Sequence, residues 1–350
     1  MKKTPLPFLL ALISALFFGA ATPISKPLLA HLSNYHLAGL LYLGAALGVL
    51  PILLREGKFH KPWQLDRDTA IRLGGSILFG GILGPLALLA GLRLSPAASV
   101  SMWLTLETVF TALLGHFIFK DYLTPRGWAA TGGILFAAVV LAAGEGAAGV
   151  QAGALVALAC LCWGLDNHFT ALIDGITPAE STFWKGLAAG STNLLIGISL
   201  APMLAAPGWV AAGLAIGFVS YGLSIVLYIT AAQRLGATRS QLIFSSAPFW
   251  GVLLSVLFLG EPLTLKQSAA AVIFILAIVL MFREQHQHHH KHAPQGHEHL
   301  HTHEDDHHLH AHPGLPASVR HSHPHYHSAQ IHSHPHWPDL HHRHLHEGGE

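Results

Sequence analysis

Apolar blocks long enough to cross a lipid bilayer follow one another along most of this chain, and they leave few folds open to it. A helix needs about 20 apolar residues to span the hydrocarbon core. Blocks of that order read as 6–25, 36–54, 73–92, 97–119, 127–144, 151–171, 181–204, 208–231, 239–259 and 264–282. Only 11% of the residues are charged, where a soluble domain carries about 25%. Backbone in lipid must satisfy its own hydrogen bonds, so the expected fold class is an all-α membrane protein with ten transmembrane helices. Lys2-Lys3 before the first block suggests a secretory leader. No Ala-x-Ala cleavage site follows, and nine further blocks do, so this block reads as a retained first helix.

The two halves repeat each other. Phe119-Lys-Asp121-Tyr-Leu123-Thr124-Pro-Arg126 recurs as Leu259-Gly-Glu261-Pro-Leu263-Thr264-Leu-Lys266, and Phe17-Phe18-Gly19 answers Cys162-Trp163-Gly164. Tyr42-Leu-Gly44-Ala-Ala46-Leu-Gly48 answers Trp184-Lys-Gly186-Leu-Ala188-Ala-Gly190, and Arg93-Leu94 answers Arg234-Leu235, all at offsets of 140 to 145 residues. Residues 1–144 and 151–283 are therefore expected to be two five-helix repeats. An odd number of spans per repeat inverts the second copy, which is the sequence mark of secondary transporters. With the N-terminus in the cytoplasm, Lys2, Lys3, Arg55, Lys58, Lys61, Arg67, Arg72, Lys120, Arg126, Arg234, Arg239 and Arg283 fall inside, against Arg93 and Lys266 outside. The positive-inside rule then predicts a multi-pass protein of the inner (plasma) membrane with both ends cytoplasmic.

The chain resembles the drug/metabolite transporter superfamily in its ten-helix EamA-type branch over about residues 6–283. The pieces that carry the resemblance are Phe18-Gly19-Ala-Ala-Thr22-Pro23-Ile-Ser-Lys26, the acidic turns at Asp121 and Glu261, and Cys162-Trp163-Gly164-Leu-Asp166-Asn167-His168. The resemblance implies fold and transport but no substrate, since related sequences tend to read Asp-Asn-Asn where this one places His168.

Charged side chains within a span cost at least about 2.5–3.5 kcal/mol on insertion scales, so they mark cavities, partners or pathways. Candidates for a substrate or proton pathway are Lys26, Glu107, Asp166, Asn167, His168, Lys185 and Asn193. Glu107 lies deepest, eleven residues into its block, and reads as a proton or cation site or as one half of a salt bridge to Lys26 or Lys185; Lys185 in turn could neutralise Asp166 or Glu107, or contact an anionic substrate. Asp166 and His168 are about 200° apart on a helix, so only unwinding beside Gly164 would aim both at one pocket. Pro23, Pro85, Pro96, Pro202 and Pro248 lie in or near spans and free backbone acceptors there. The series Gly39, Gly44, Gly48 and Gly186, Gly190 reads as close helix packing. Cys160 and Cys162 point to different faces and form no disulfide framework, and His116 reads as an interfacial side chain.

Residues 284–350 differ in kind. Of 29 histidines, 24 fall between His286 and His346, in a segment too poor in apolar residues to bury a core and hence expected to be disordered. His286, His288, His289, His290, His292, His297, His299, His301, His303, His307, His308, His310 and His312 are candidate ligands for nickel, cobalt or zinc, because neutral imidazole suits such ions. No resident cofactor is required, no paired cysteines fix a structural zinc site, and no nucleic-acid motif occurs. His-Glu-x-x-His, Gly-x-Ser-x-Gly and a phosphate-binding glycine loop are all missing from the sequence, so an enzyme is not expected.

The leading functional expectation is an exporter of nickel or cobalt, or of zinc, working by alternating access with protons as the coupling ion and a cytoplasmic tail that gathers metal. Two alternatives stay open. One is an exporter of an amino acid or other small metabolite with the tail as metal or pH regulator; the other is a membrane-anchored metal buffer or sensor.

Overall fold

The computed structural model of the protein describes residues 6–57, 59–118, 123, 125–173, 175–235, 240, 243–282, 289–292, 295–301, 321–327 and 330–333. Six helices open the chain: α1 Leu6–Leu28, α2 Asn34–Glu56, α3 Arg67–Leu94, α4 Ala97–Phe117, α5 Pro125–Gly144 and α6 Gly146–Ala171. Next come α7 Pro178–Leu200 and α8, which runs from Pro207–Ile216 through Gly217–Leu223 into Ser224–Leu235. The last two are α9 Ala247–Leu259 and α10 Leu265–Phe282. Among the described residues, seven helices are long and apolar enough to cross a membrane, namely α1 to α6 and α8. Although α7 equals α1 in length at 23 residues, Glu180, Lys185 and Asn193 make it more polar.

Boundaries moved where capping chemistry outweighs hydropathy. The third block was expected to begin at residue 73, yet α3 begins at Arg67 because Asp66 Oδ1 accepts from the backbone N–H groups of Asp68 and Thr69, each at 3.0 Å. The extra turns carry Arg67, Asp68 and Arg72, which a hydropathy scan discounts. Likewise α7 starts at Pro178 rather than 181, held by a capping box in which Glu180 N donates to Thr177 Oγ1 and Thr177 N to Glu180 Oε2. It ends at Leu200, ahead of Pro202. Glu145 alone separates α5 from α6, so α6 begins five residues earlier than residue 151.

The bundle is apolar outward and tightly packed by small residues inward. Val139 (67% exposed), Leu195 (68%) and Phe258 (74%) face outward, as expected of helices solvated by lipid tails. Inside, α2 lies against α7, α1 against α8 and α9, α3 and α4 against α6, and α5 against α10. The α2–α7 crossing depends on glycine: a Cβ on Gly186 would stand 2.7 Å from the Tyr42 carbonyl oxygen, and one on Gly190 2.7 Å from Leu43 N. Packing of this kind substitutes for the missing hydrophobic driving force between helices in lipid.

Helix α3 changes pitch at its centre. Ser76–Leu83 is a π-helix, in which Gly84 N–H bonds Phe79 O. Proline at 85 gives this change its consequence. Residue 85 should donate to Gly81 O in an α-helix or to Gly80 O in a π-helix, and proline has no N–H to give. Two carbonyls in the middle of the bundle are thereby released. Helix α8 has a π stretch at Gly217–Leu223, 141 residues after Ser76 and within the offset of the sequence repeats.

The second matching break lies in α4, where i→i+3 bonds run from Thr105 N to Met102 O (3.1 Å) and from Glu107 N to Leu104 O (3.1 Å). Its counterpart at the entrance to α9 is Ser246 N to Ile243 O, also 3.1 Å.

In the histidine-rich segment the structure describes residues 289–292, 295–301, 321–327 and 330–333, and His286, His288, His303, His307, His308, His310 and His312 lie outside the described residues. Its described parts form two antiparallel ribbons, β1 His289–His292 with β4 Gln330–Ser333, and β2 Gln295–His301 with β3 His321–His327. Low apolar content rules out a core but not extended pairing, and His-x-His alternation has the period of a strand.

Candidate functional site

The released carbonyls of α3 organise the polar centre. Tyr42 of α2 donates its hydroxyl to Gly80 O at 2.5 Å, and Trp163 of α6 donates Nε1 to the same oxygen at 3.0 Å. From α7, Asn193 Nδ2 donates to Gly81 O at 3.1 Å. Three helices thus read one break in a fourth. Asn193 is wholly buried, and its Oδ1 meets no donor among the described residues.

Beside this break lies an intramembrane ion pair. Lys185 Nζ of α7 reaches Asp166 Oδ1 at 2.7 Å and Oδ2 at 2.8 Å, with side-chain exposures of 16% and 12%. Ser76 Oγ (2.6 Å) and Thr170 Oγ1 (3.0 Å) also donate to Asp166 Oδ1. The carboxylate rests against Gly80 so closely that any Cβ there would collide with Asp166. Burial of two charges is costly unless the remaining lone pairs are satisfied, and here both hydroxyls satisfy them.

A second cluster occupies the adjacent face of α6. Asn167 Nδ2 donates to Glu107 Oε1 at 3.0 Å and to Thr111 Oγ1 at 3.2 Å, while His168 Nε2 meets the Thr111 carbonyl at 2.9 Å. The unwinding considered at Gly164 does not occur: α6 is helical from Gly146 to Ala171, and Gly164 instead lets the backbone of Phe110 and Thr111 approach. Asp166 consequently faces α3 and α7, while Asn167 and His168 face α4. Glu107 is not the salt-bridge partner of Lys185, which Asp166 takes, although all three lie within electrostatic range. The 3₁₀-like turn just before Glu107 exposes carbonyls that Cys160 Sγ approaches, at 3.6 Å for Trp103 O and 3.9 Å for Leu104 O. Both cysteines are buried and free.

Lys26 stands apart from these groups. Its Nζ caps the end of α3, donating to Leu92 O (2.6 Å) and Ser95 O (2.5 Å). At the same end Glu261 accepts from Ala97 N and Ala98 N, each at 2.9 Å, and so caps α4. Glu145 accepts from Ser95 and Ser99, and from Gln267 Nε2 at 3.3 Å. Together these contacts tie α1, α3, α4, α5 and α10 shut at one end of the bundle. The repeated acidic turn therefore serves, at Glu261, as a cap in this tie; Asp121 lies outside the described residues. His116 packs edge-on against Trp128.

Sequence reasoning did not single out Tyr42, Trp163 or Ser76 as members of the site. Pro85 is the signal that could have found the first two, since it fixes which carbonyls are orphaned. A cavity of about 490 Å³ lies elsewhere, between the α1–α2 and α7–α8 turns, beside His31, His36 and Trp209. It touches none of the paired charges, so size alone is a poor guide to the chemistry here. Among the described residues, no group of three His, Cys, Asp or Glu side chains is arranged to hold a metal ion.

Comparison with known proteins agrees with this architecture. A crystal structure of another protein superposes with a TM-score of 0.58 at 17% identity, covering 79% of this chain and 96% of that one; this likeness concerns the fold alone. An uncharacterized transporter of Methanothermobacter thermautotrophicus (strain Delta H) is 22% identical over 291 residues, 77% of this chain and 84% of its own length. The EamA-like transporter family matches residues 6–143 and again 151–283. On that double match, the chain is a multi-pass membrane protein that belongs to the EamA-like transporter family of the drug/metabolite transporter superfamily.

Proposed function

We propose that this is an alternating-access secondary transporter whose ten helices form two inverted five-helix repeats, and whose cargo is a small zwitterionic organic solute such as an amino acid. The matched pitch changes in α3 and α8 and in α4 and α9, with the double family match, support the repeats. The distribution of lysine and arginine supports an inner-membrane orientation with both ends cytoplasmic. In that orientation the Lys26–Glu145–Glu261 tie closes the outer end, and Asp166–Lys185 lies toward the cytoplasmic side.

The observation that carries the cargo class is the Asp166–Lys185 pair beside an unpartnered Asn193 Oδ1. Splitting an ion pair in a low-dielectric interior is costly unless each charge gains a new partner. A zwitterion supplies both: its carboxylate takes Lys185, and its ammonium takes Asp166 with Asn193 Oδ1 as a further acceptor. A bare divalent ion would instead face the Lys185 charge with few ligands, so the geometry favours the metabolite reading over the metal cargo. Glu107, adjacent but outside the pair, is the proposed proton carrier.

Counterflow in proteoliposomes tests this, using radiolabelled neutral amino acids alongside nickel, cobalt and zinc. Saturable exchange of a zwitterion is expected, abolished by Asp166→Asn. Glu107→Gln should retain exchange while losing accumulation driven by a proton gradient. Metal accumulation that depends on Asp166, with no exchange of any zwitterion, would contradict the cargo class.

A further inference from the structure

The two halves of the bundle hold their own loops differently. Helix α7 starts after its cap Thr177, and its third residue, Glu180, is wholly buried. Glu180 Oε1 accepts from His60 N at 2.6 Å and faces His60 Nδ1 at 3.0 Å, so a carboxylate at the start of α7 clasps the loop between α2 and α3. Trp184 Nε1 secures the same loop through His60 O at 3.0 Å. The offset of the repeats carries Thr177 back to Ser33, the cap of α2, and Glu180 back to His36. The counterpart loop, between α7 and α8, reads Ala-Pro-Met-Leu-Ala-Ala over residues 201–206 and has no ionisable side chain. Between that loop and the start of α2 lies the cavity of about 490 Å³. His36 lines it and is 4% exposed, and its Nε2 has no partner among the described residues. His31 lines it as well, stacked on Trp209 with ring centroids 4.1 Å apart.

We propose that this cavity binds the carboxylate of a small organic acid, held by His36, His31 and the first turn of α8. At the other end of the bundle the chain supplies both partners of the clasp, imidazole and carboxylate. Here it supplies the imidazoles and the ligand brings the acid. The starts of α2 and α8 both border the cavity, through Ser33 and His36 and through Ala206 and Trp209. Ala206 occupies the cap position of α8 and gives its first turn no side-chain acceptor. Helix N-termini favour anions. Arg93 adds a positive charge close by, bonded to Asn34 Oδ1 at 2.6 Å and Leu32 O at 2.7 Å on either side of Ser33. No acidic side chain lines the cavity, so a metal ion, which imidazoles could otherwise hold, finds no compensating charge. The volume falls within the range of small-molecule sites, about 300–1,000 Å³, and Trp209 offers an apolar wall for the body of the acid. In the orientation proposed above the site opens on the outer face, away from Asp166 and Lys185.

The test is calorimetric titration of the full-length protein in detergent micelles with benzoate and with benzamide, its uncharged counterpart. Benzoate should bind saturably and benzamide at least about tenfold more weakly, the scale of a charge-assisted hydrogen bond. His36 is buried, so variants at less buried positions carry the test. His31→Ala removes one imidazole from an exposed position and should weaken benzoate several-fold. Ala206→Asp supplies the carboxylate from within the chain, at a cap position that favours aspartate. It should abolish benzoate binding while leaving the unfolding temperature unchanged or higher. Lys185→Gln should bind benzoate as the parent does, which separates this site from the cargo site. Equal affinity for benzamide, no saturable benzoate binding by the parent, or undiminished binding in both His31→Ala and Ala206→Asp would each overturn the proposal. So would binding lost in Lys185→Gln alone, which would place the acid at the central pair and leave the cargo reading standing.

Discussion

Asp166 and Lys185 each have a low-exposure charge whose neutralisation depends on the other. Removing one partner of a buried pair leaves an uncompensated ion, a change of about 3–5 kcal/mol. Asp166→Asn or Lys185→Gln alone should therefore lower the thermal unfolding temperature in detergent. Combining them should recover most of that loss without recovering counterflow, since no charge remains to take the cargo's. Recovery of exchange in the double variant would mean the pair is only a structural tie. Both residues are legible in the sequence as charges inside apolar blocks, and Asp166 is one of two carboxylates that Lys185 could neutralise; the choice between them is not legible, because nineteen residues and the α6–α7 turn separate the pair. Asn167 and His168 share a motif with Asp166 yet face another helix, a difference that the 100° step between successive helix positions creates.

Individual helices owe their shape to a few backbone donors. Pro85 withholds the N–H that would close the ladder at Gly80 and Gly81, and side chains from α2, α6 and α7 use what is left over. Pro85→Ala should return a donor and draw Ser76–Leu83 toward α-helical pitch, rotating Ser76 away from Asp166. The expected phenotype is a protein at least as stable to heat but at least tenfold slower in exchange, roughly 1.4 kcal/mol in the barrier; a fully active variant would show that the pitch change is incidental. At the start of α3, the hydrogen bonds from Thr69, followed by that from Asp68, hold the Asp66 carboxyl below its ordinary pKa. A depressed folded-state pKa means that the cap's contribution is present above the unfolded Asp value and fades as pH falls through the folded one. Protection factors for amide exchange at Asp68 and Thr69, taken relative to the intrinsic rate at each pH, should fall in Asp66→Ala at neutral pH, and in the parent chain only on acidification. Hydropathy located these helices, while their first turns, built from capping side chains and charges, were invisible to it.

At the scale of the whole molecule, the duplicated sequence reappears as duplicated defects: a π stretch and a 3₁₀-like turn at the same offset in each half. The repeat was legible because motifs such as Asp-x-Leu-Thr and Glu-x-Leu-Thr survive at fixed spacing. The breaks were not, because a pitch change depends on which donors the neighbouring helices offer.

If the halves exchange roles, a probe beside the polar centre must be reachable from each face in turn. Thr111→Cys in a Cys160→Ser/Cys162→Ser background provides one, read by a membrane-impermeant thiol reagent applied to right-side-out and inside-out vesicles. The account predicts labelling from the cytoplasmic face in the parent chain. Adding Glu261→Gln, which loosens the cap on Ala97 and Ala98, should shift labelling toward the outer face, and saturating cargo should change the ratio. Labelling confined to one face, unaltered by Glu261→Gln and by every solute tried, would contradict alternating access around the Asp166–Lys185 centre.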